Sequence, residues 1–115
     1  MENKTVFDVV IGKIIKSHDE DFSKVLDELS SKTLHIYCEM LLLSAKYVSH
    51  QEFTEWALAH PKDFDAFHCE CIKAAMNCKY DSKDYKALTV IDNFLWDVSQ
   101  EIEDKLFYKV IPVNI

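Results

Sequence analysis

Apolar positions recur along this chain at steps of three and four residues, the spacing that gathers side chains on one face of an α-helix. Over about Lys4 to Ser17 the stripe is Phe7, Val10, Ile11 and Ile14, widened by Val6 and Ile15. Lys13 and Lys16 fall toward its C-terminal end, where cations complement the helix dipole, and the polar run Ser17-His18-Asp19-Glu20 breaks the pattern. A second, shorter helix is expected from about Glu20 to Leu29 on Phe22, Val25, Leu26 and Leu29, ending at Ser30-Ser31, serines placed to cap the next helix. That third segment, about Lys32 to Tyr47, carries Leu34, Tyr37, Cys38, Leu41, Leu42 and Ala45 on one side, with Ile36 and Leu43 spilling beyond it. It reads as a largely buried helix.

Ser49 and Glu52 form the S-x-x-E box that opens a fourth helix, the serine accepting from an early N–H and the glutamate reaching back. This helix presents Phe53, Trp56 and Ala57, and it stops near His60 because Pro61 disfavours the α conformation in the residue before it. Pro61 can itself open a fifth helix, about Lys62 to Asn77, with Phe64, Phe67, Cys71, Ala74, Ala75 and Cys78 on one face and Asp63 and Asp65 in its first turn. The turn Lys79-Tyr80-Asp81-Ser82, with Asp81 or Ser82 as N-cap, leads into the longest helix, about Lys83 to Leu106. Leu88, Ile91, Leu95, Val98 and Ile102 make the seam expected of helix-on-helix packing. Val90, Phe94 and Trp96 lie outside that seam, so this helix is either central in the domain or shared with a second chain. The tail from Phe107 to Ile115 is too apolar to stand in water and is expected to dock as an extended segment.

These elements predict an all-α fold, a compact bundle of about five to six helices in one domain spanning residues 1–115. Composition agrees: a single glycine, Gly12, and two prolines, Pro61 and Pro112, leave too few turn residues for a β-sandwich or a Gly-rich phosphate loop. The residues MENKTVFDVV lack the features of a signal peptide, and no apolar run approaches the roughly 20 residues that cross a bilayer. A cytoplasmic location without membrane association is therefore expected. Cys38, Cys69, Cys71 and Cys78 then read as reduced thiols.

Charge narrows the partner class. The formal net charge is -7, and every basic residue is lysine, so bidentate arginine grips on phosphate or guanine are absent. An acidic surface repels the nucleic-acid backbone, which makes a basic protein the better partner.

Candidate chemistry is sparse. His68, Cys69, Glu70 and Cys71, with Cys78 further on, are the residues closest to a zinc pattern, yet Cys69 and Cys71 point to nearly opposite sides of a helix. Cys71 and Cys78 share the apolar face with Phe64 and Phe67, where cysteine behaves as a small hydrophobe. His35 with Cys38, and His68 with Cys71, have the proximity of a nucleophile and base, but any i, i+3 pair on a helix does, and no strained turn builds an oxyanion hole. The carboxylate runs Asp19-Glu20-Asp21 and Glu101, Glu103, Asp104 read as solvated faces. The tyrosines lack the interleaved basic residues of an RNA-stacking surface. No catalytic set, metal site or cofactor is expected.

One recognition surface remains: Asn93, Asp97, Gln100 and Asp104 lie opposite the seam of the last helix, with Trp96 and Glu103 at its margin. An acidic ridge with an aromatic anchor suits a lysine- or arginine-rich site. The expected function is a small acidic protein-binding domain, of the inhibitor or toxin-immunity kind, that masks the basic active site or nucleic-acid cleft of a partner such as a nuclease or toxin. The alternative is a homodimeric or larger structural or regulatory module built on the last helix and the tail. A His/Cys metal protein or enzyme ranks below both.

Overall fold

The computed structural model describes residues 5–17 and 22–110. Among them are six helices: α1 (Val6–Ser17), α2 (Phe22–Glu28), α3 (Ser31–Lys46), α4 (His50–Ala59), α5 (Pro61–Met76) and α6 (Lys83–Val110), with no strand among the described residues. The protein is an all-α bundle. None of these helices is long and apolar enough to cross a membrane.

Short polar residues set the helix starts. Thr5 Oγ1 accepts from the Asp8 N–H at 3.0 Å while the Asp8 carboxylate accepts from the Thr5 N–H at 3.4 Å, a reciprocal box that opens α1. Ser30 caps α3 by accepting from the Thr33 N–H, and Ser49 caps α4 by accepting from the Glu52 N–H at 3.0 Å. Glu52 reaches back to the Ser49 hydroxyl, at 3.1 Å. Pro61 occupies the first turn of α5, directly after the His60 that ends α4. Of the two candidate caps for α6, Ser82 takes the role, accepting from the Tyr85 N–H at 3.1 Å. Asp81 instead supplies a left-handed residue, φ 67°, that turns the chain between α5 and α6.

α6 is the central element: α1, α3, α4 and α5 all pack against it. Its seam residues Leu88, Ile91, Leu95 and Val98 are fully buried, with Ile102 partly so. Phe94, outside the seam, is also buried, edge-on to Phe53 of α4 at 5.2 Å between ring centroids.

Three expectations are corrected. In α1, Phe7 is 47% exposed and Ile15 41%, while Val6 is buried, drawn in by its N–H bond to the Val48 carbonyl at 2.8 Å. In α3 the inward face is Thr33, Ile36, Tyr37, Met40 and Ser44, not the stripe through Cys38, Leu42 and Ala45, which are exposed. The helix is rotated by about one residue, roughly 100°, from the expected face. Apolar residues surround most of α3, so periodicity cannot aim it, and the two buried hydroxyls are satisfied locally: Ser44 donates to the Leu41 carbonyl at 2.9 Å and Thr33 lies 3.1 Å from Ser30 Oγ. Finally, α6 stays helical through Phe107, Tyr108, Lys109 and Val110, where an extended segment was expected. No helix breaker occurs before Pro112. The rest of the tail, residues 111–115, lies outside the described residues, as do the expected helix starts at Lys4 and Glu20.

The rotation of α3 is testable by urea unfolding. Ile36→Ala should cost about 2–5 kcal/mol through transfer and cavity terms, whereas Leu42→Ala should stay within about 0.5 kcal/mol. The opposite order would restore the face that periodicity alone suggests.

Candidate functional site

Four helices cover α6, and from Asn93 to Lys105 a strip of it reaches solvent, flanked by exposed Glu101 and Lys105. That strip carries the six expected recognition residues, Asn93, Trp96, Asp97, Gln100, Glu103 and Asp104, all exposed. Asn93, Asp97, Gln100 and Asp104 run along its crest, and Trp96 and Glu103 turn toward α5. Among the described residues no lysine lies within ion-pair distance of Asp97, Glu103 or Asp104. Their carboxylates are exposed.

Trp96 is held on one side and open on the other. It is 54% exposed, and its indole meets the edge of the His68 ring at 4.8 Å between centroids. His68 is itself buried in α5, and its Nε2 lies 2.8 Å from an Asp92 carboxylate oxygen one turn before Trp96. This contact joins α5 to α6 and supports the tryptophan from beneath.

Beside Trp96, α4, the start of α5 and α6 enclose a groove of about 350 Å³. Its floor is apolar, made by Ala57, Leu58, Phe64 and Ile102, and Ser99, Asp65 and Glu103 stand around it. A long amphipathic side chain fits this chemistry, with its stem on the floor and its cationic head at the carboxylates. On the other flank, Glu101 accepts from the Thr54 hydroxyl at 3.0 Å and pairs with His50 at 3.1 Å, so this acid ties α6 to α4.

The cysteine and histidine candidates are separated. Cys69 is exposed and Cys71 buried, on opposing sides of α5. The Cys71 thiol donates to the Leu88 carbonyl at 3.5 Å and is pushed up to about 12, first by burial and then by the Asp92 charge. Such a thiol is the reverse of an activated nucleophile. His35 pairs with Glu39 at 2.7 Å, while Cys38 is exposed. No group of three or more His, Cys, Asp or Glu side chains converges on a metal-sized position among the described residues.

Sequence reasoning missed His68–Asp92, the Glu101 tie and the groove. The first left a trace, since Phe64, His68 and Cys71 share the i, i+4, i+7 spacing of one helix face. The groove left none, because its walls come from three helices. No family model, curated protein or solved structure matches the chain.

The raised Cys71 thiol has a pH signature. An acid whose folded pKa lies above its unfolded value stabilises fully below the unfolded value, here near 9.0, and loses that contribution as pH rises toward about 12. Stability measured by urea unfolding should therefore fall across this alkaline window, and Cys71→Ala should flatten the fall while lowering stability at pH 7. In the folded wild type at pH 8, a thiol reagent should label Cys38 and Cys69 and spare Cys71.

Proposed function

We propose that this protein is an acidic protein-binding domain of the inhibitor or immunity type, acting in the cytoplasm by inserting the exposed strip of α6 into a basic active site or nucleic-acid cleft of another protein. The observation that carries the reading is the placement of exposed Asp97, Glu103 and Asp104, which have no cation at ion-pair distance among the described residues, around a half-exposed tryptophan on one helix. Carboxylates without internal partners lose little when a partner's lysines or arginines approach, and an aromatic side chain held from below has little rotamer entropy left to lose. The net charge of -7 adds a long-range field that speeds encounter with a basic surface. The groove behind Trp96 then offers a place for one side chain of the partner to anchor.

The competing reading is self-association through α6. It is weakened over the described side chains of α6, where Phe94 is buried and Val90 partly buried within the chain.

The test begins with a low-salt pull-down from the native host, followed by kinetics on any stoichiometric basic partner. Raising ionic strength should slow association by about tenfold with little change in dissociation. Reversing charge at Asp97→Lys plus Asp104→Lys should abolish both binding and inhibition of the partner. A complex indifferent to salt and to both reversals would remove the ridge from the mechanism, and a stable homo-oligomer with nothing bound would favour self-association.

A further inference from the structure

At the N-terminal end of α6, away from the acidic strip, the start of α3 and the end of α5 form a second cleft, of about 550 Å³. Its chemistry opposes that of the chain as a whole. Lys32, Lys73 and Lys79 are three of its nine lining residues, against thirteen lysines in 115 residues overall. They come from three separate segments: the first turn of α3, the last turn of α5 and the loop that follows α5. Helix-dipole complementarity accounts for Lys73. It does not account for Lys32, which sits at the positive end of α3, a helix with no acidic residue in its first turn.

None of the three lysines has a carboxylate within ion-pair distance among the described residues. The single carboxylate lining the cleft, Asp84, accepts from the Ser30 N–H at 2.9 Å, which leaves the cleft with more positive than negative charge. Around the lysines stand the Ser30 hydroxyl and the Asn77 amide, and, with the Thr33 N–H taken by the Ser30 cap, the Ser31 and Lys32 N–H groups are the ones in the first turn of α3 that lack intrahelical acceptors. We infer that this cleft binds a small phosphate-bearing molecule, with Lys32, Lys73 and Lys79 neutralising its charge and the α3 N-terminus orienting it. The site is independent of the acidic face, so either assignment stands or falls without the other.

Pyrophosphate is the probe, titrated into the full chain at constant ionic strength and followed by amide NMR and thermal unfolding. Saturable shifts at Ser31, Lys32, Thr33 and Asn77 and a rise in Tm are expected. Lys32→Gln plus Lys79→Gln should weaken binding by about tenfold or more, two charge-assisted contacts being lost. A control pair outside the cleft lining, Lys13→Gln on α1 plus Lys46→Gln at the opposite end of α3, makes the same change in net charge and should leave the affinity unaltered. The inference is overturned if millimolar pyrophosphate produces no saturable change at these amides, or if both pairs weaken binding equally, which would mean non-specific attraction.

Discussion

Burial of Leu88, Ile91, Leu95 and Val98 is the constraint on which the rest of this structure depends. Each is worth about 1.5–3 kcal/mol when fully removed from water, and together they can be covered only if several helices surround one. α1, α3, α4 and α5 do so, which makes the longest helix the axis of the bundle. The same enclosure limits what α6 can offer to solvent. Between Asn93 and Lys105 one strip remains outside, its residues acidic, amide or aromatic, with Lys105 exposed at its edge.

Packing alone would tolerate small rotations of the surrounding helices, since apolar contacts are not directional. Polar contacts between distant segments remove that freedom. His68 with Asp92 joins α5 to α6, Glu101 with Thr54 and His50 joins α4 to α6, and Asp84 with the Ser30 N–H joins the start of α6 to the start of α3. These contacts lose their strength if either helix turns, so they specify orientation more than they add net stability. Through them the position of Trp96 follows from residues in α5, and the position of Lys32 relative to Lys73 and Lys79 follows from residues in α6.

The two surface features therefore differ in sign and in origin. The acidic strip is what remains of one helix after its neighbours have covered it, and its character is carried by consecutive turns of α6. The lysine-lined cleft exists only where three segments meet. A protein of net charge -7 that gathers three lysines around one cleft near the start of its central helix thus carries two surface features of opposite sign.

The sequence by itself determined the helices, their order and most of their ends, because periodicity, serine caps and Pro61 act within a few residues of chain. It also placed Asn93, Trp96, Asp97, Gln100, Glu103 and Asp104 on one side of the last helix, since a strong seam leaves the opposite side unambiguous. Tertiary structure decided what local pattern cannot encode. The facing of α3 was only partly legible: Lys32, His35, Glu39 and Lys46 mark a polar side, but Leu34, Ile36, Tyr37, Met40, Leu41, Leu42 and Leu43 spread over too wide an arc to say which of them face inward, and Thr33 and Ser44 entered the core once their hydroxyls found partners along their own chain. His68 and Asp92, 24 residues apart, and the walls of both clefts were invisible for a simpler reason: their proximity is a property of helices packed against one another, and no spacing within a single helix records it.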